Sequence, residues 1–280
     1  LQHRAGVVAA LEASSSAMGV RLKSGDKIDR YELVRPLGEG AQGAVWLADD
    51  PLEPDSPKAL KLISLKGAQE NAAERLRREA RALASIEHPS LVRCHSLVED
   101  VSTGHVALVL DFVKGSTLID VVRKDQLTTE LTEWVLKHLA SALAHLHDNN
   151  LVHRDVKLAN IIVTDSFFRA PEDPASVKLV DLGIAIETGN PEPLTQMGAA
   201  VGTVPYMPPE ALDGTFFEAD AYAPTADCYA LGVIGWRLLS GTYPGGELEG
   251  LDKLLAQYRR AAAAEQRAAE TALEANEADE

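Results

Sequence analysis

The densest run of reactive side chains in this 280-residue sequence is His153-Arg154-Asp155-Val156-Lys157-Leu158-Ala159-Asn160. Charged and polar groups at fixed spacing in so short a stretch are hard to explain as packing, because such residues are seldom buried without a task. A second feature is the glycine run at Gly38, Gly40 and Gly43, which fits G-x-G-x-x-G. Glycines without a Cβ let backbone N–H groups approach a phosphate closely, although the same spacing also marks a plain turn. A third is Lys61, inside the apolar run Ala59-Leu60-Lys61-Leu62-Ile63. A strand lysine is either a solvated edge residue or, if it turns inward, a cation that needs an anionic partner. Glu79 or a phosphate can supply that partner. His138, His145 and His147 cluster on a helical stretch, but His145 and His147 do not share a face. No Cys or carboxylate pattern completes a metal site there.

These groups need elements to hold them. Tyr31–Leu37 and Ala44–Ala48 read as strands on either side of the glycines. A β-prone segment after the glycines counts against a dinucleotide site, which requires a helix there. Residues 50–57, with Pro51, Pro54 and Pro57, form a turn, and Ala59–Leu65 is the next strand. Glu70–Ile86 has no Gly or Pro and is predicted to be a helix ending before His88-Pro89. Strands are expected at Leu91–Val98 and His105–Phe112. Leu131, Trp134, Val135, Leu139, Leu143 and Leu146 share one face of a long helix stopped by Asp148-Asn149-Asn150. Another buried helix is expected over Ala226–Leu239, closed by Gly241. A small β-rich lobe with one helix therefore precedes a larger helical lobe, with a hinge near Asp111–Gly115.

Composition narrows the partners. With 27 basic and 42 acidic residues the formal net charge is −15, which opposes general nucleic-acid binding. No apolar run is long enough to span a bilayer, and the stretch from Ala5 to Leu11 is too short for a signal peptide. Cys94 and Cys228 form no CxxC motif, so a reducing cytoplasm is the expected compartment. The chain begins with Leu, as a piece of a larger parent protein would.

The run from His153 to Asn160 resembles HRDxKxxN of the protein kinase family, in its bacterial, eukaryotic-like Ser/Thr branch, where the lysine marks Ser/Thr kinases. The likeness extends from about Tyr31 to Gly241. Lys58-Ala59-Leu60-Lys61 matches VAIK and Glu79 the helical glutamate that pairs with it. Val180-Asp181-Leu182-Gly183 matches DFG with Leu for Phe, and Gly202–Glu210 matches GTxxYMAPE with Pro208 for Ala. Asp227 resembles the helix aspartate that braces the catalytic loop. The resemblance implies a bilobal α+β fold, a β-rich N-lobe and a mainly helical C-lobe, and transfer of the ATP γ-phosphoryl group to Ser or Thr of a protein, with autophosphorylation. Asp155 would orient the substrate hydroxyl, Lys157 offset charge on the phosphoryl group, and Asn160 and Asp181 hold Mg²⁺. Lys61, held by Glu79, would position phosphates under Gly38, Gly40 and Gly43. Leu37 and Val45 would roof the nucleotide, Ala59 back it, and Ile162 and Val180 floor it. Leu110 would be the gatekeeper, with Asp111 to Val113 reading adenine. Leu83, His153 and Leu182 would stack into a spine ending on Asp227. Arg154 would pair with a phosphate on Thr195, in preference to Thr188 or Thr203.

The implied division is a leader over 1–27, a kinase domain over 28–245 (N-lobe about 28–111, C-lobe about 116–245), and an Ala/Glu-rich tail over 246–280. Beyond Pro244 the resemblance fades, so the C-lobe is expected to be short, and no arginine is identified as the partner of Glu210. Ser166–Ser176 is expected to be an inserted surface loop. Two alternatives use a related fold: a nucleotide-binding pseudokinase scaffold and a small-molecule phosphotransferase. Every polar residue that phosphoryl transfer needs is present, against the first. Lys157 and the long Asp181–Glu210 segment count against the second.

Overall fold

The computed structural model describes residues 22–40, 43–63, 72–100, 105–181, 204–208 and 224–244. These form two compact units divided between Lys114 and Gly115.

The first unit is built on an antiparallel six-stranded sheet of order β1-β2-β3-β4-β6-β5. Its strands are β1 Lys27–Ile28, β2 Tyr31–Gly40, β3 Gly43–Asp49, β4 Lys58–Ile63, β5 Cys94–Asp100 and β6 His105–Asp111. Alternation puts Tyr31, Leu33, Trp46, Leu60 and Val109 into one apolar cluster. All six residues of β4 are buried, so the strand reads as a continuous run rather than an alternating one. The Pro-rich turn after β3 is clamped by Asp50, which accepts from Arg30 Nε and Nη2 at 3.0 Å each and from the Leu52 amide at 2.9 Å. That guanidinium holds the Asp50 carboxyl below its usual range, against the opposing effect of burial. Helix α1, Ala72–Ala84, buries Leu76, Ala80 and Leu83 and is tied to β5 by Arg77–Glu99. The first residues expected in the β5 strand behave differently: Leu91 and Val92 are buried, but the strand begins only at Cys94.

The second unit opens on β7, Gly115–Thr117, and α2, Leu118–Arg123, capped by the Thr117 hydroxyl. Neither short element was expected from the sequence. Helix α3, Thr129–Asp148, starts at Thr128, whose hydroxyl accepts from Leu131 N–H. Its predicted apolar face holds: Val135, Leu139, Leu143 and Leu146 are all buried. The stop is as predicted too, with Asn150 in the left-handed region at φ 57°. Strands β8, Ile161–Thr164, and β9, Val177–Leu179, complete a three-stranded sheet of order β7-β8-β9. Helix α4, Pro224–Ser240, has Pro at its first position and Gly241 just beyond its end at φ +77°. It packs on α3, with Gly235 facing Leu136.

The insertion over Ser166–Ser176 is not simply a surface loop. Phe167 is completely buried while Phe168 is exposed, and His138 donates from Nε2 to the Pro171 carbonyl at 2.7 Å. A buried aromatic ring outweighs the polarity of its neighbours and pulls half of the loop down.

Candidate active site

The loop between α3 and β8 is shaped by one carboxylate. Asp227, in the first turn of α4, is 1% exposed. Its Oδ2 accepts the His153 N–H at 2.8 Å and its Oδ1 accepts the Arg154 N–H at 2.9 Å. His147, in the last turn of α3, places Nε2 2.9 Å from the same Oδ2. Arg154 has φ 68°, a conformation unfavourable for a residue with a Cβ. Two charge-assisted bonds to Asp227 hold it there.

The His153 ring is wholly buried and fixed at both nitrogens. Nε2 donates to the Val180 carbonyl at 3.1 Å, so Nδ1 is the acceptor of the Asp155 N–H at 3.3 Å. Both contacts require the neutral Nε2–H tautomer. Burial, the dominant influence, depresses the ring's pKa in the same sense.

Asp155, Lys157 and Asn160 come together on this frame. Lys157 Nζ lies 2.8 Å from Asp155 Oδ2. Asn160 Nδ2 donates to the same oxygen at 2.9 Å and to the Asp155 carbonyl at 2.8 Å. The Leu158–Asn160 turn and the bond from Val180 N–H to the Asn160 carbonyl tie the loop to the β8–β9 pair. Asp181 follows immediately, at φ 62°. Ile162, on β8, is half-buried, as is Val180.

In the first unit, Gly38 pairs with Val45 and Gly40 with Gly43, a strand–turn–strand as the sequence implied. Gly43 sits at φ +124°, where a Cβ would collide with the Leu62 carbonyl, whereas the space around Gly38 is open. Leu37 is exposed and Val45 half-buried. Lys61 stands between Val45 and Leu108 in the sheet and is 4% exposed; it and the half-buried Glu79 of α1 are both engaged in interactions. Lys58, on the opposite side of β4, binds Glu53 and Ser56. Ala59 pairs with Leu110, and both are buried. Asp111 donates its N–H to the Arg93 carbonyl and meets His95 Nε2 at 2.6 Å, while Val113 is half-buried. Leu182, Thr188, Thr195, Thr203 and Glu210 lie outside the described residues.

His147 has a role that the sequence did not reveal. Considered there as a metal ligand and set aside, it is a hydrogen-bond partner of Asp227. Its place in the helical turn just before the loop was the available signal.

A family model for the protein kinase domain matches residues 31–278. The chain belongs to the protein kinase family. This kinase domain is 34% identical over 218 residues to serine/threonine-protein kinase pkn2 of Myxococcus xanthus, covering 77% of the chain and 25% of that protein. It is 33% identical over 228 residues to serine/threonine-protein kinase PknJ of Mycobacterium tuberculosis, covering 81% of the chain and 36% of that protein. The chain thus spans a quarter to about a third of these relatives. The crystal structure of the Mycobacterium tuberculosis PknI kinase domain matches with a TM-score of 0.54 and 27% identity, covering 82% of this chain and 81% of that one. No described helix of the kinase domain is long and apolar enough to cross a membrane.

Proposed function

We propose that the domain transfers the γ-phosphoryl group of ATP to Ser or Thr hydroxyls of protein substrates. The observation that carries this reading is the Asp155 carboxylate, held on a loop pinned by Asp227 and flanked by Lys157 and Asn160. Lys157 and Asn160 both occupy Oδ2. Among the described residues no donor reaches Oδ1, which is the oxygen to accept or orient the substrate hydroxyl proton. Lys157 offsets charge on the transferred group.

The residues present fit Mg²⁺. Because Asn160 Nδ2 is spent on Asp155, its side-chain oxygen is the atom left as a ligand, and Asp181 adds a carboxylate. Oxygen donors of this kind suit a hard cation. Magnesium would supply neutralisation of charge on the ATP phosphates. Lys61, buried and engaged, would position those phosphates with Glu79 as its brace. Open space around Gly38 supports a phosphate approach there, since the fold itself does not demand a glycine. The free cysteines support a reducing, cytoplasmic compartment.

Asp155→Asn tests the reading. The variant should keep its melting temperature and its Mg·ATP affinity while phosphate transfer falls about a thousand-fold, the typical share of a positioned proton acceptor. Transfer to a mixed peptide substrate and to Thr195 itself can be read by mass spectrometry in one assay. A wild-type protein that binds Mg·ATP and transfers nothing would replace this reading with the scaffold one.

A further inference from the structure

The edge strand β5 carries a bulge where it pairs with β6. Cys94 stands opposite Leu110 and Ser96 opposite Val109, so His95 is an extra residue with no counterpart in the ladder. Bulges on edge strands block pairing with another chain, but that purpose places no demand on which side chain occupies the bulge. A bulge also redirects the side chain it carries. Here the His95 ring reaches the last residue of β6, with Nε2 2.6 Å from Asp111 Oδ1. An ionised carboxylate only accepts, so Nε2 is the donor whether the ring is neutral or charged. Lys58, the residue opposite Asp111 on β4, is committed to Glu53 and Ser56.

The contact sits at a boundary of the sheet. The Asp111 N–H donates to the Arg93 carbonyl at 3.0 Å, two residues before His95. Asp111 is therefore held at its backbone and at its side chain by the residues on either side of the buried Cys94. Beyond Asp111 the chain leaves the sheet, and residues 112–114 form neither strand nor helix. A stretch that offers its backbone to a ligand keeps its aim only when the residue at its root is fixed. The two side chains are 32% and 44% exposed, so the pair adds little to global stability. Its consequence is local.

We propose that His95 is a positioning residue for nucleotide recognition: by holding the Asp111 carboxylate it fixes the backbone of residues 111–113 and sharpens the preference for adenine over guanine. This rests on the protein-kinase reading above, which puts the base of ATP against Asp111 to Val113, and adds to it a residue outside the nucleotide site. His95 acts through Asp111 and takes no part in the phosphoryl transfer itself.

The test compares wild type with His95→Ala, His95→Gln, Asp111→Ala and the double alanine variant. A fluorescent ATP analogue is displaced by adenosine or by Mg·tripolyphosphate, and steady-state kinetics are run with Mg·ATP and Mg·GTP. His95→Ala should weaken adenosine binding and raise KM for ATP about three- to five-fold, with kcat, tripolyphosphate affinity and melting temperature unchanged. The ATP-to-GTP ratio of kcat/KM should fall about three-fold. His95→Gln keeps an N–H donor and should recover most of the loss. The double variant should lose no more than Asp111→Ala alone, because the two residues act as one unit. Unchanged adenosine affinity in His95→Ala, additive losses, or adenosine and tripolyphosphate affinities that fall together each overturn the positioning role while leaving the kinase reading intact. If wild type binds nucleotide but transfers no phosphate, the kinase reading falls and the displacement series alone decides the role of His95. A wild type that binds no nucleotide overturns both.

Discussion

Asp227 shows how much of a loop can depend on two oxygens. Its carboxylate satisfies two backbone donors and a histidine ring while almost excluded from water. Asp227→Ala leaves the backbone donors facing apolar space, and chemical denaturation should record a loss of about 3 kcal/mol or more. His147→Ala removes only one of the three contacts, and its loss should stay near 1.5 kcal/mol. Equal losses would mean that the ring, rather than the backbone pair, carries the brace. His153 makes a separate prediction about pH. Its folded pKa lies below the unfolded value of about 6.5. Above that pH both states are neutral and stability is complete. Below it the unfolded chain binds the proton first, so stability falls as pH drops toward the folded pKa. Urea midpoints measured down to about pH 5 should therefore decline more steeply for wild type than for His153→Phe, whatever the absolute stability of the variant. Parallel slopes would count against a buried neutral ring.

At the scale of elements, the two glycines Gly38 and Gly115 separate what the fold needs from what a ligand needs. A Cβ on Gly115 would strike the Val163 carbonyl across the β7–β8 pair. Gly115→Ala should lower the melting temperature by several degrees, as expected for a loss of about 2 kcal/mol. Gly38→Ala meets only open space and an ordinary backbone, so the melting temperature should stay within about a degree of wild type. Under the proposed function its KM for ATP should nevertheless rise. The long elements were legible because they carry strong periodic signals: the apolar face of α3, the β-prone flanks of the glycines and the Gly241 stop all appear where the residues placed them. β7 and α2 were not, because three- and six-residue elements are set by their neighbours, here β8 and the Thr117 cap, more than by their own pattern. The inserted loop was misjudged for a similar reason. Two adjacent phenylalanines look alike in sequence, and only the packed fold decides that one ring is buried and the other exposed. In the site, Asp155, Lys157 and Asn160 were legible as one constellation, whereas the His147–Asp227 contact depends on the packing of α3 on α4, which no spacing rule encodes.

For the whole molecule, net charge and local charge act at different ranges. A formal charge of −15 repels acidic peptides and ATP at long distance, and salt screens that repulsion beyond a Debye length of about 10 Å at 0.1 M. For an acidic peptide, kcat/KM should therefore rise modestly as ionic strength increases from about 20 to 150 mM, the reverse of ordinary steered association. A steep fall would mean that exposed surface cations dominate capture. Measurement at a fixed nucleotide concentration, with a neutral peptide as reference, separates the peptide's share from that of ATP.

The two cysteines offer an unplanned spectroscopic handle. Cys94 is sealed within β5, where burial pushes its thiol up to about 11, so little thiolate is present at neutral pH. Cys228 is exposed and directly follows Asp227 along α4. A maleimide fluorophore should therefore label the native protein at Cys228 alone, one residue from the carboxylate that holds the loop bearing Asp155. Its emission would report rearrangement of that loop upon peptide or nucleotide addition, with no engineered residue required.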